Sequence, residues 1–293
     1  MNLLKKELVF VLGSTANMAF ATANVIKSIS ENCKLNFDVI VYENNFLTKD
    51  KEIINSIHKT EFIDYNFPKD CNLNEKTLKQ FTKLAFSRYE CFKLLNNYKK
   101  VFWIDIDTLV NKNIDEFIKK FDKDIAILCE HYQVKDNFTR NLEGYDMNRA
   151  SCNSGVFIIS DKIKDVDKIY KYLYQKTQEF ADILFCADQG IFCLMFQDFN
   201  LDIQNIGELY NCHPTSKNAK NAYILHTFRP EKFWNFYRNK KWNRNYKWWI
   251  ERGGSSYQGK KANLWQKFWK TFFYEIPDPL RYPKGFLKKV FGK

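Results

Sequence analysis

Val101-Phe-Trp-Ile-Asp-Ile-Asp-Thr-Leu-Val110 is an apolar run interrupted only by two carboxylates, Asp105 and Asp107. Its first four residues lie between Lys99-Lys100 and the polar Asn111-Lys-Asn113, and predict a strand buried in the middle of a parallel sheet. Side chains two apart in an extended chain share a face, so Asp105 and Asp107 are predicted to point at one spot. Two carboxylates held side by side repel and need a cation between them. A hard divalent metal meets that need, and such ions typically take one or two carboxylates together with phosphate oxygens. The plainer alternative is two aspartates solvated at a strand end.

Working outward, the chain before this run alternates strand and helix. Strands are predicted at Leu8 to Leu12, Phe37 to Tyr42 and Thr60 to Asp64. Between them lie a loop over Gly13 to Asn17, a helix from Met18 to Ile29, and a helix from Thr48 to Ile57 with Thr48 as its N-cap. Asn66 to Glu75 reads as loop, and Lys76 to Leu95 as one long amphipathic helix. The alternation predicts an α/β fold, a mostly parallel sheet flanked by helices. In such sheets ligands bind beyond the carboxyl ends of the strands, where the two aspartates stand.

Beyond them come a helix at Ile114 to Phe121, a strand at Asp124 to Cys129 and a polar loop from Gln133 to Cys152 that is expected to cover the site. A strand over Asn153 to Ser160, a helix from Asp161 to about Lys176, a buried helix from Ala187 to Phe196 and a last strand at Tyr223 to His226 follow. Asp188 stands in a first helical turn, where an acidic residue also suits the helix dipole. His226 is one of only four histidines. Beside two carboxylates, a neutral imidazole would complete a manganese-type donor set. Lys232, six residues on, is near enough along the chain to reach a phosphate bound there.

The 293 residues carry a formal charge of +12, unevenly spread. From Arg229 to Lys293 there are 17 lysines and arginines against 4 acids, and six of the seven tryptophans. A nearly neutral body, residues 1–228, is therefore expected to be followed by a basic, aromatic extension, residues 229–293. Eight cysteines form no CxxC pair and no zinc spacing, and several sit in apolar stretches, which suits reduced thiols in a cytoplasmic protein. The first apolar core, Leu8 to Leu12, is shorter than the ~7–15 residues of a signal-peptide core. The sequon Asn137-Phe-Thr139 therefore carries no expectation of glycosylation.

Five motifs in order make the chain resemble glycosyltransferase family 8, whose members include bacterial lipooligosaccharide galactosyl- and glucosyltransferases. They are Phe86-Ser-Arg-Tyr89, Asp105-Ile-Asp107, Asn153-Ser-Gly-Val156, Asp188-Gln189 and His226-Thr-Phe-Arg-Pro-Glu-Lys232. The resemblance spans most of residues 7 to 234 and implies a GT-A, Rossmann-like fold and a retaining hexosyltransferase. It implies that Asp105, Asp107 and His226 bind manganese, or magnesium, which holds the diphosphate of a UDP-sugar. By the same resemblance Arg88 and Lys232 contact sugar or phosphate oxygens, Asn153 and Asp188 hydrogen-bond sugar hydroxyls, and Gln189 lies beside the anomeric carbon. Gln189 and Asp188 are the catalytic candidates. The acceptor implied is a lipooligosaccharide or other cell-surface glycan.

Three positions depart from the family pattern. The loop after the first strand, Gly13-Ser-Thr-Ala-Asn-Met18, lacks the usual carboxylate and leaves Asn17 as the weak candidate for uridine. Arg229 stands where a glycine is usual. Glu130 matches an acidic position of the sugar site only loosely.

In the extension, Leu264, Trp265, Phe268, Trp269, Phe272 and Phe273 recur at helical spacing with Lys267 and Lys270 elsewhere, and Phe286, Leu287, Val290 and Phe291 repeat the pattern. A basic helix with an aromatic face predicts peripheral attachment to an anionic inner membrane. Two rival classes remain. A haloacid-dehalogenase-type phosphatase also has two aspartates one residue apart, but places a residue between the second and a threonine, whereas Thr108 follows Asp107 directly. A nucleic-acid-binding protein would use the basic tail, but a near-neutral body offers no extended basic groove, so no nucleic acid is expected.

Overall fold

The structure, a computed structural model, describes residues 4–69 and 73–272. The chain opens with β1 (Lys6–Thr15), α1 (Ala19–Asn32), β2 (Asp38–Asn44), α2 (Thr48–Ile57) and β3 (Thr60–Asp64). It continues through α3 (Glu75–Gln80), a 3-10 segment Lys83–Tyr89, α4 (Glu90–Leu94), β4 (Tyr98–Ile104), β5 (Thr108–Val110) and α5 (Asp115–Lys120). Then follow β6 (Ile125–Gln133), β7 (Ala150–Ser160), α6 (Val166–Glu179), α7 (Ala187–Asp198), β8 (Ile203–Asn205), β9 (Ile224–His226), α8 (Lys240–Glu251) and α9 (Leu264–Phe272).

Seven strands form one sheet in the order β3-β2-β1-β4-β7-β6-β8, mostly parallel, with β7 running antiparallel between β4 and β6. Alternate residues of β1 feed two separate cores. Val9 and Val11 pack with Val101, Trp103, Phe157 and the helices α6 and α7. Phe10 and Leu12 pack with Phe102, Ile104 and the helices α1, α5 and α8. A strand covered on both faces must be apolar at every position, which is why β1 and β4 read as continuous runs rather than alternations. The strand order reverses at β1, whose neighbours are β2 on one side and β4 on the other. This is the switch point at which a crevice opens beyond the carboxyl ends of the strands. Asp105 and Asp107 follow β4 there.

Several local readings are corrected. The two aspartates do not lie on an extended strand: β4 ends at Ile104, and Thr108 N–H donates to Asp105 C=O at 3.2 Å across a turn. That turn, and not strand alternation, brings the carboxylates together. The expected helix from Lys76 to Leu95 is broken at Phe81 and Thr82, both extended. The 3-10 segment that follows delivers Arg88, buried, to the end of β4. Thr48 is not an N-cap; the cap position is Leu47, without a side-chain bond. β1 continues to Thr15, through most of the expected Gly13–Asn17 loop. The polar stretch from Gln133 to Cys152 contains the end of β6, a 3-10 turn Val134–Asn137 and the start of β7. All seven cysteines described are free thiols, and burial pushes those of Cys33 and Cys186 up to about 12. Among the described residues no helix is long and apolar enough to cross a membrane.

The charge-based boundary at residue 228 runs through a packed region. Trp242 and Trp249 of α8 are buried in the second core, and Asn24 of α1 donates to Trp242 C=O at 3.0 Å. Phe20 of α1 meets Trp234, Tyr246 and Tyr257 edge to face, with centroids 5.6–5.7 Å apart. The return segment is pinned by Ser255 N–H donating to buried Asp50 at 3.0 Å and by Trp249 Nε1–H donating to Ser255 C=O at 2.9 Å. On α9, Leu264, Trp265 and Phe268 face solvent. The Phe286–Phe291 repeat and Phe273 lie outside the described residues. Trp249→Ala, which removes a core side chain and its bond to Ser255, should lower stability by about 3–5 kcal/mol in urea unfolding.

Candidate active site

Asp107 and His226 are 119 positions apart, and the two-stranded ribbon of β5 and β9 joins them. Thr108 pairs with His226 in that ribbon, and Thr227 N–H donates to Asp107 C=O at 3.0 Å. His226 Nε2 thereby sits 3.1 Å from Asp107 Oδ1 and 3.9 Å from Asp105 Oδ2. One donor atom from each of the three residues lies within 4.8 Å of the others. Two hard carboxylate oxygens and an imidazole nitrogen suit a divalent cation of the manganese type. Asn211 Oδ1 lies 2.8 Å from His226 Nδ1, and Asn211 Nδ2 donates to Asn153 Oδ1 at 2.9 Å, so the amide orients the ring from Nδ1 and turns Nε2 toward the two carboxylates. The backbone makes room: a Cβ on Gly155 would stand 2.2 Å from His226 Cε1 and 2.7 Å from Asp105 Oδ2.

Cations already answer these carboxylates. Lys232 Nζ donates to Asp107 Oδ2 and to Thr227 C=O. Burial opposes ionisation of Asp107, but Lys232 and His226 overcome it and hold its carboxyl well below the ordinary range. Burial raises Asp105, aided by the Asp107 charge and opposed by Arg88. Arg88 bridges two carboxylates: its Nη2 donates to Asp105 Oδ1 at 3.0 Å, and its Nη1 donates to Asp188 Oδ2 at 2.9 Å and to Ser154 Oγ at 2.6 Å. Burial disfavours its charge, but the two aspartates more than restore it. Trp103 Nε1–H, at 2.8 Å, shares the same Asp105 oxygen and leaves Oδ2 turned toward His226. Asp188 is raised by burial against the pull of Arg88.

The neighbouring wall is amide-rich. Asn153 Nδ2 donates to Glu130 Oε1 at 3.2 Å, and Gln189 Nε2 donates to Asn137 Oδ1 at 3.2 Å. Burial raises the Glu130 carboxyl, which Asn153 partly offsets. Together these groups line one cavity of about 790 Å³. It brings together Arg88, Asp105, Asp107, Asn153, Asp188, Gln189, His226 and Lys232, with Glu130 and Arg229 at its wall. Asn17 lies outside that lining and accepts from Thr15 Oγ1 at 2.6 Å. Reading the sequence missed Asn211, Trp103 and Ser154. Asn211 stands in an irregular stretch with no periodicity or spacing to mark it, and Trp103 is disguised as one more apolar residue of β4.

Set beside known proteins, the sequence matches the family model described as glycosyl transferase family 8 over residues 9–243, and the chain belongs to that family. It is therefore a glycosyltransferase with a GT-A fold. The galactosyltransferase LgtC, solved with donor and acceptor sugar analogues, superposes with a TM-score of 0.61 at 15% identity, covering 83% of this chain and 99% of that one. The bifunctional glycosyltransferase WbbM matches with a TM-score of 0.63 at 14% identity, over 87% of this chain and 52% of that one. GlyE of Streptococcus pneumoniae TIGR4 matches with a TM-score of 0.55 at 16% identity, over 88% of this chain and 66% of that one. At such identities the likeness speaks for the fold. No curated protein sequence matches the chain.

Asn211→Leu removes the amide that orients the His226 ring and should weaken Mn2+ binding about 10–100-fold by calorimetry. Gly155→Ala should do the same by crowding two of the three donors.

Proposed function

We propose that this chain is a metal-dependent, retaining hexosyltransferase that moves galactose or glucose from a UDP-sugar to a lipooligosaccharide or other cell-surface glycan. The observation that carries the reading is the convergence of Asp105, Asp107 and His226 within 4.8 Å, in the same cavity as Arg88, Asn153, Asp188 and Gln189. A manganese or magnesium ion held by the three would act as a Lewis acid on the diphosphate leaving group. The rest follows from the chain's own groups. Lys232 adds a countercharge for the negative charge that builds on the diphosphate. Asp188, engaged by Arg88 and by Ser154, is fixed as an acceptor of sugar hydroxyl bonds and is poorly placed to attack. Asn153 adds an amide to orient the sugar. Gln189 is a neutral amide and a poor nucleophile, so it steadies the sugar beside the reacting carbon. The acceptor hydroxyl then attacks from the side on which the diphosphate leaves. The C–O bond to phosphate breaks with its electron pair going to the diphosphate, the new glycosidic C–O bond forms, and the hydroxyl proton passes to the departing oxygen.

The experiment is UDP release from UDP-galactose and UDP-glucose by protein stripped of metal and then given Mn2+. Release should depend on the ion, and Asp107→Ala should lower it by ~10²-fold or more while the fold persists. Undiminished release in that variant would remove the ion from the reaction.

For the location of the reaction, we propose peripheral attachment to the anionic inner face of a bacterial membrane. The support is α9, on which Leu264 is 79%, Trp265 68% and Phe268 57% exposed, within a segment rich in lysine. The root of α9 is tied to the body where Ala262 N–H donates to Asn235 C=O at 2.8 Å. Co-sedimentation with phosphatidylglycerol vesicles, but not with phosphatidylcholine vesicles, is expected. Trp265→Ser with Phe268→Ser should abolish it.

A further inference from the structure

Two buried thiols stand behind the amide-rich wall of the cavity and take no part in the chemistry proposed for it. Cys152 of β7 and Cys193 of α7 are each 2% exposed, and their Sγ atoms are 3.7 Å apart. Each belongs to an element that supplies the site. Cys152 immediately precedes Asn153 and Ser154, and Cys193 lies one helical turn after Gln189. Cys152 Sγ is also 3.9 Å from the Gln189 carbonyl oxygen, so the pair bridges β7 and α7 where both reach the cavity. The local backbone explains the approach. Successive residues of a regular strand point to opposite faces, yet Ser151 Oγ also lies 3.7 Å from Cys193 Sγ. The ladder of β6 and β7 is irregular between the Cys129–Cys152 and Gln133–Ala150 pairs, which lets both neighbours reach α7.

The surroundings favour one thiol over the other. Asn137 Nδ2 donates to Ser151 Oγ at 2.9 Å, which leaves the Ser151 hydroxyl hydrogen for Cys193. The hydrogen bond shared with Cys152, joined by Ser151, brings the Cys193 thiol below its ordinary range against the cost of burial, while Cys152 is raised. We propose that Cys152 and Cys193 are an oxidative modification site, at which a hydroperoxide closes a disulfide that clamps α7 to β7 and displaces Asp188 and Gln189 from Asn153. Cys193 attacks one peroxide oxygen, the O–O bond breaks, and the departing hydroxide takes the Cys193 proton and leaves as water. The Cys152 sulfur then attacks the resulting sulfenic acid. The S–S bond forms, and hydroxide leaves as a second water with the Cys152 proton. Two thiols thus give up two electrons and two protons, and the peroxide accepts them. The sulfurs must close from 3.7 Å to about 2.05 Å, which draws the helix toward the strand. Asp188 is held by Arg88 at 2.9 Å, and Gln189 by Asn137 at 3.2 Å, so movement of the first turn of α7 disturbs both bonds. The effect on turnover rests on the proposed UDP-sugar reading; formation of the bond does not.

The test treats the reduced full chain with hydrogen peroxide, caps remaining thiols with iodoacetamide and maps the peptides by mass spectrometry without reduction. A peptide pair joining Cys152 to Cys193, lighter by two hydrogens than its separate thiol forms, is expected, and dithiothreitol should restore both thiols. UDP release from UDP-galactose or UDP-glucose by the same samples should fall at least about fivefold on oxidation and recover on reduction. Cys193→Ala should keep its release in reducing buffer and resist peroxide. Cys152→Ala should behave alike, which keeps the test open should the first variant not fold. Capping of both Cys152 and Cys193 after peroxide, or a bond from Cys152 to Cys129, which stands opposite it in the sheet, overturns the assignment. Release that is unchanged in the linked protein, or lost to peroxide equally in the alanine variants, overturns the effect on the site. Reduced protein that releases no UDP from any UDP-sugar sinks the donor reading instead, and the peptide map still decides the bond.

Discussion

Three aspartates, Asp105, Asp107 and Asp188, crowd into the largely buried end of one crevice, and the arrangement survives only because cations are interleaved among them. Arg88 spans Asp105 and Asp188, and Lys232 holds Asp107. Removing a partner from a buried ion pair leaves a charge that the interior cannot solvate, which typically costs 3–5 kcal/mol. The surrounding structure reads as the scaffolding for that balance. A 3-10 segment brings in Arg88, a two-stranded ribbon brings in His226, and the loop after the ribbon brings in Lys232. The same interleaving divides the crevice into a half able to hold a cation and a half lined with amides, joined through Arg88 and through the Asn153–Asn211–His226 chain. The two halves are thereby mechanically linked.

Much of this was legible in the sequence, for identifiable reasons. The strands β1, β2 and β4 are continuous apolar runs because both their faces are covered, and such runs announce themselves locally. The helix at Ala187–Asp198 is buried almost all round, and its sequence is correspondingly apolar on every side. The eight residues singled out from five motifs all reach one cavity, although nothing in their spacing alone required it. His226 in particular is placed by pairing between β5 and β9, a contact across more than a hundred residues.

What escaped was decided by contacts that local patterns do not encode. The periodicity of Lys76 to Leu95 suits a helix, but continuing it would not deliver Arg88 to the end of β4. The extended Phe81 and Thr82 re-aim the chain at the cost of helical hydrogen bonds. The turn at Asp105 to Thr108 was hidden because a strand also brings alternate side chains to one side. Asn211 does its work from an irregular segment. The charge count marked residue 229 as the start of a tail, but a lysine-rich helix can still bury one apolar stripe, and α8 does so with Trp242 and Trp249 against α1.

The gap at Gly155 has a consequence for how this chain can change over time. Each of the nineteen other amino acids brings a Cβ that would press on His226 and Asp105, so a replacement at 155 obliges those side chains to shift. Under the proposed metal role, a side chain at 155 would crowd two of the three donors, which makes this single codon a practical mark for that role among relatives.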